Sequence, residues 1–186
     1  MISRRRVLLG ISGAATSLAT MSSRAEPIMT ADGLYSEPWF LKSFLDLRSD
    51  LDETTKKGKR FVIMWSLKGC PYCKETHVVN FGNPEIVGYI QEHFEVLQLN
   101  VIGALPVTDF DGQSISEKSL AYKNSIRFTP TFQFFSEAAN VQDSVSEVAR
   151  LPGYVEPEHF LAMFRFVQTH AYDRMSFGQF VKSGRT

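Results

Sequence analysis

One stretch constrains this chain more than any other. Five apolar residues in a row, Phe61-Val62-Ile63-Met64-Trp65, run into Gly69-Cys70-Pro71-Tyr72-Cys73. A continuous apolar run bounded by turn residues is the pattern of a strand buried on both faces. Such a strand needs helices above and below it. Gly69 and Pro71 bracket Cys70, and proline suits the first helical position because its missing N–H would be unpaired there anyway. A helical stretch is therefore expected from Pro71 to Asn80, with Cys70 at its start.

That placement gives the cysteines a chemistry. A sulfur at a helix N-terminus meets unpaired backbone N–H groups and the positive end of the helix dipole, which favour thiolate over thiol. The ordinary cysteine pKa of about 8.5 falls to roughly 3.5–7.5 in such motifs. Cys70 is expected to be the more exposed, attacking thiolate, and Cys73, one turn further in, to resolve the mixed disulfide. Lys68 and Lys74 add positive charge or are simply solvated. A stapled scaffold would carry more cysteines than these two, at wider spacings. A zinc site needs four ligands, whereas His77, His93, His159 and His170 are scattered without ligand spacing. His77 reads as a surface residue of the helix that follows Cys70. Tyr72 either contacts a substrate or covers the disulfide, and Trp65 reads as core.

The rest of the chain alternates strand and helix patterns. Ser36-Glu37-Pro38 resembles a helix start, with Phe40, Phe44, Leu47 and Leu51 following at helical spacing and Gly58 closing the segment. Asn83-Pro84-Glu85 opens a helix carrying Ile86, Val87 and Ile90, and Phe94–Val101 is the next buried strand. A polar connection, Gly103 to Ser114, is either a partner-recognition surface or a plain loop. Ser116–Asn124 reads as a short helix. Phe132–Phe135 and Val145–Ala149 read as an antiparallel pair, and Pro157 opens a last helix with Phe160, Met163, Phe164 and Val167 in one core stripe. This order predicts an α/β domain whose mixed central sheet is flanked by helices on both faces, with an extra N-terminal helix. Its active loop belongs at the carboxyl end of the first strand.

Phe128-Thr129-Pro130-Thr131 stands between a short helix and an apolar strand, where a proline is ill suited to begin strand pairing. A cis Thr129–Pro130 bond would make a fixed bend and offer backbone groups to an incoming extended peptide.

Residues 1–25 hold Arg4, Arg5, Arg6 and Arg24 and no acid. A basic start, a diluted apolar stretch from Val7 to Met21 and Ser23-Arg24-Ala25 read as a twin-arginine-like export signal cleaved after Ala25. The apolar stretch falls short of the roughly 20 residues that span a bilayer. Without this segment, 16 basic residues face 20 acidic ones, a net charge of −4. A mildly acidic body excludes nucleic acid as a partner. The organisation expected is a signal over 1–25, a flexible lead-in over 26–35, one domain over 36–172 and a tail over 173–186. In the tail, Phe177, Phe180 and Val181 suggest a short helix docked on the body.

From about Phe61 to Val167 the sequence resembles the thioredoxin superfamily, with Cys70-Pro71-Tyr72-Cys73 as active site and Thr129-Pro130 as the cis-proline loop. Gly69-Cys70-Pro71-Tyr72-Cys73-Lys74, Val107-Thr108-Asp109-Phe110-Asp111-Gly112, Phe128-Thr129-Pro130-Thr131 and Leu151-Pro152-Gly153-Tyr154 most resemble the SoxW-type periplasmic thioredoxins, which are associated with sulfur-oxidation systems. The resemblance implies a thioredoxin fold and a monomeric periplasmic thiol reductase with no cofactor beyond its own disulfide. Cys70 and Cys73 would be catalytic, and Pro71, Tyr72, Thr129 and Pro130 would bind substrate. The partner would be a periplasmic protein with a reactive cysteine or disulfide, such as a Sox-type carrier, and a membrane CcdA/DsbD-like transporter would supply electrons. A thiol oxidase or isomerase uses the same residues, although a dimerisation domain of the DsbC kind has no room here. A Cu(I) carrier would bind metal between the two thiolates. Met64 stands where cytosolic thioredoxins carry a buried aspartate. The proton of Cys73 is thereby left to Glu75 or water.

Overall fold

The structure is a computed structural model that describes residues 27–137 and 144–184. The segment expected to be an export signal, with its expected cleavage site, lies outside the described residues. The described chain opens with a small antiparallel ribbon, β1 (Ile28–Met29) and β2 (Tyr35–Ser36), followed by α1 (Leu47–Lys56) and β3 (Arg60–Ser66). Then come α2 (Pro71–Glu75), a π-helical turn (Thr76–Asn80), α3 (Pro84–His93) and β4 (Phe94–Asn100). A hairpin, β5 (Pro106–Thr108) and β6 (Ser114–Ser116), leads into α4 (Glu117–Lys123) and β7 (Thr131–Phe135). The chain finishes with β8 (Glu147–Pro152), α5 (Pro157–Gln168), a 3-10 turn (Ala171–Asp173) and α6 (Phe177–Lys182).

The central sheet runs β4-β3-β7-β8. β3 pairs parallel with β4 and antiparallel with β7, which pairs antiparallel with β8. All seven residues of β3 are buried, as its apolar run requires, and alternate residues feed opposite cores. Val62 and Met64 join Phe132, Phe134, Ile86, Ile90, Phe160 and Phe164 on the face covered by α3 and α5. Phe61, Ile63 and Trp65 join Leu47, Leu51, Leu97 and Leu120 on the face covered by α1 and α4. Both layers of helix therefore exist for the reason the strand composition gave.

Three helices begin where the caps predict. Asn83 accepts from the Glu85 N–H at 3.0 Å and Ser116 from the Ser119 N–H at 3.2 Å. Pro157 occupies the first turn of α5, whose expected stripe is buried throughout. In the tail, Ser176 and Gln179 form a reciprocal capping box, and Phe180 docks edge-on against Phe166, ring centroids 5.5 Å apart.

The N-terminal helix exists but starts later than expected. Ser36 is a strand residue paired with Ile28, and Glu37 is buried. Phe44 is fully exposed and Leu45 has φ of 63°. Asp46 then caps α1 by accepting from the Ser49 N–H at 2.9 Å. Phe40 sits at helical spacing by coincidence. It packs on Trp39 and Phe81 while the next residue, Leu41, donates its N–H to the Val96 carbonyl at 2.9 Å. Part of the segment read as a flexible lead-in is the β1–β2 ribbon. It is tied to the end of β4 by Asn100 Nδ2, which donates to Asp32 Oδ2 at 2.8 Å. The connection from Gly103 to Ser114 holds the β5–β6 hairpin. Its turn is held by Lys123 Nζ, which donates to Asp109 at 2.7 Å and to Asp111 at 2.6 Å. β8 lies a little later than Val145–Ala149 because it pairs through Leu151 and Pro152 with Phe132 and Thr131.

Candidate active site

β3 delivers the chain to the site. Past Ser66, Gly69 adopts φ of +75°, a region that a side chain disfavours, and turns the backbone into α2. Cys70 is the N-cap and Pro71 takes the first turn. The Cys73 N–H donates to Cys70 Sγ at 3.0 Å. The two cysteines form a disulfide with Cα atoms 5.3 Å apart. Cys70 is 7% exposed and Cys73 3%, so Cys70 is the more accessible, though both are covered in this oxidised form.

The start of β7 supplies the opposite wall. The Thr129–Pro130 bond is cis. Thr129 Oγ1 donates to Cys70 Sγ at 3.3 Å, and the Thr129 carbonyl oxygen lies 3.4 Å from the same sulfur. Pro130 is buried, and its carbonyl accepts from the Gly153 N–H at 2.7 Å. That bond joins the loop after β8 to the site. Tyr154 in that loop stacks on Tyr72, centroids 6.5 Å apart and planes 18° from parallel. Asn80 Nδ2 holds the same loop by donating to the Val155 carbonyl at 3.1 Å. Tyr72 and Phe128 stand mostly exposed. Burial, then the carboxylates of Glu156 and Glu75, holds the Tyr154 phenol above the ordinary tyrosine range, so it remains a neutral hydroxyl.

All six sequence-predicted site residues, Cys70, Pro71, Tyr72, Cys73, Thr129 and Pro130, therefore lie together on two elements. The two lysines do not share one role. Lys68 runs along Gly33 of the ribbon, where an added Cβ would meet its stem at 3.0–3.2 Å. Its charge helps lower the Asp32 pKa, whose largest cause is the Thr30 hydroxyl. Lys74 is exposed. Trp65 is core, its Nε1 donating to Gln133 Oε1.

The reading of His77 as a surface residue is wrong. Its side chain is buried, and Nδ1 lies 2.7 Å from Oε1 of Glu37, itself buried. Tyr35, Phe40 and Phe81 pack around the imidazole. Neither residue carried a signal in the sequence beyond one fact. His77 lies four positions after Cys73 and so on the same helical face. Glu37 arrives from forty positions away and has no local signature. Among the described residues, no group of three or more His, Cys, Asp or Glu side chains could hold a metal ion. No described helix is long and apolar enough to cross a membrane.

Residues 47–168 match the thioredoxin-like domain family, and the chain belongs to that family. A close cysteine pair at a helix N-terminus on this fold makes it a thiol–disulfide oxidoreductase. Among solved structures it is similar to a thioredoxin-fold protein from Helicobacter pylori, at 22% identity over 68% of this chain and 84% of that one, with a TM-score of 0.54. It is also similar to a thioredoxin from Thermus thermophilus, at 23% identity over 66% and 83%, with a TM-score of 0.52. No curated protein matches the chain.

Proposed function

We propose that the protein is a SoxW-like periplasmic reductase that passes two electrons from its Cys70–Cys73 dithiol to a disulfide of an exported partner. The observation that carries the dithiol exchange is the setting of Cys70 Sγ, which receives the Cys73 N–H and the Thr129 hydroxyl at a helix N-terminus, and the direction rests on the likeness to SoxW-type reductases. Both donors stabilise a thiolate more than a thiol. In the reduced protein, the Cys70 thiolate attacks the partner disulfide and expels one partner sulfur as thiolate, forming a mixed disulfide. Cys73 gives up its proton and attacks Cys70 Sγ. The second partner sulfur leaves, and both partner thiolates take up protons. One disulfide is reduced and one is formed.

The free backbone at Thr129 offers a strand-like edge to an extended partner segment, and Tyr72 and Phe128 offer apolar surface beside it. The arginine-led segment at the N-terminus supports export, and the motifs shared with SoxW-type proteins support a sulfur-carrier partner and a CcdA/DsbD-like membrane donor. The reaction needs no cofactor besides the cysteine pair, and one copy of the chain carries the whole site.

The test is the reduction potential of the Cys70–Cys73 pair, set by equilibration with defined dithiol buffers. A value of about −270 to −230 mV supports a reductase. A value near about −120 mV belongs to a thiol oxidase and overturns the direction proposed.

A further inference from the structure

The buried Glu37–His77 pair has no part in the scheme above, yet its histidine stands on the turn that continues the reacting helix. Both side chains are almost fully buried, and their polar atoms meet at 2.7 Å. With the Glu37 carboxylate accepting from Nδ1–H, the neutral imidazole carries its lone pair on Nε2. Nε2 is buried and has no hydrogen-bond partner. Buried polar atoms are rarely left unpaired, and each one calls for a reason. Cys73 and His77 are both buried and stand four residues apart, Cys73 in α2 and His77 in the π-helical turn that continues it. Cys73 is the thiol that must lose a proton during resolution.

We infer that the Glu37–His77 pair takes the Cys73 proton when the mixed disulfide is resolved. The inference rests on the dithiol reading given above. Cys73 S–H transfers its proton to His77 Nε2, directly or through one water. The imidazolium is stabilised by the Glu37 carboxylate. The Cys73 sulfur bonds to Cys70 Sγ with its electron pair, the bond from Cys70 to the partner sulfur breaks, and the partner leaves as a thiolate. The imidazolium then returns its proton to that thiolate or to water. The groups packed on the imidazole are Glu37, Tyr35 and Phe40 from the N-terminal segment and Phe81 beyond the π-helical turn. Of these, Glu37 and Tyr35 titrate.

The experiment mixes reduced full-length protein with an aromatic disulfide whose released thiolate is coloured. The first release reports attack by Cys70, and the second reports resolution by Cys73. An unassisted cysteine with a pKa of about 8.5 is only about 3% ionised at pH 7. In His77→Gln the second phase should therefore slow by up to about thirtyfold at pH 7 and regain the wild-type rate above about pH 9. The first phase should be unchanged. The double variant Glu37→Gln/His77→Gln keeps a neutral, hydrogen-bonding pair of similar size and should behave the same way. A loss equal at pH 7 and pH 9, or no loss, overturns the inference. A second measurement needs no variant. The His77 imidazole proton signals, followed by NMR in the wild-type protein, should titrate at different pH in the oxidised and reduced forms. Identical titrations overturn the inference. Absence of the first release would instead refute the dithiol reading.

Discussion

Replacing Thr129 with valine removes one hydroxyl and little else, since the two side chains have nearly the same shape. The hydroxyl donates to Cys70 Sγ at 3.3 Å. Hydrogen bonds to charged groups contribute about 1.5–3 kcal/mol. A long bond to sulfur from a half-buried residue belongs at or just below the lower end, about 1.4 kcal/mol, which is one pKa unit. The donor stabilises the thiolate more than the disulfide, so its loss raises the Cys70 pKa by about one unit and destabilises the reduced form. For a two-electron couple, the same energy makes the potential about 30 mV more negative. That shift is complete above the Cys70 pKa of both proteins and fades below it, where the sulfur is protonated and the hydroxyl matters less. The assay is the ultraviolet absorbance of the thiolate against pH, paired with redox equilibration at neutral pH. A Cys70 pKa that stays put or falls, or a potential that becomes less negative, refutes the reasoning.

Three further outcomes follow from the same contacts. Cys73→Ser should accumulate a mixed disulfide with a disulfide substrate, whereas Cys70→Ser should form none; mass spectrometry of the unreduced mixture distinguishes them. Leu51→Ala removes a fully buried side chain between α1 and β3 and should cost about 2–5 kcal/mol, read from urea unfolding. Glu117 is pushed above the ordinary carboxyl range, chiefly by burial and against the Asn100 N–H that bonds it. The folded state therefore binds its proton more tightly than the unfolded state. Glu117 favours folding fully below its unfolded pKa and loses that contribution as pH rises through its folded pKa. Glu117→Gln should flatten this part of the stability–pH curve, and an unchanged slope would rule the account out.

Local patterns decided much of this protein. The apolar run at Phe61–Trp65 could only be an interior strand, because no residue in it tolerates a wet face. The cysteines, with Gly69 before them and Pro71 between them, fixed a helix start with a sulfur at its tip. Asn83, Ser116 and Pro157 marked helix starts because capping is satisfied within a few residues. Those signals were enough to place both walls of the site, Cys70 to Cys73 and Thr129-Pro130.

Tertiary structure decided the rest. Phe40 and Phe44 share the spacing of Leu47 and Leu51, but Ser36 had a strand partner in Ile28 and Leu41 a carbonyl in Val96. Long-range backbone bonds therefore outcompeted a local helix. The β5–β6 hairpin is held by Lys123 reaching back from α4, a contact with no trace at the turn itself. His77 was misplaced for the same reason. On its own helix it is one polar residue among several, and only Glu37, brought in by the ribbon and the segment after it, makes burial of its ring affordable. A charge can be buried only with its partner, and the partner's place is set by the fold rather than by the neighbouring residues.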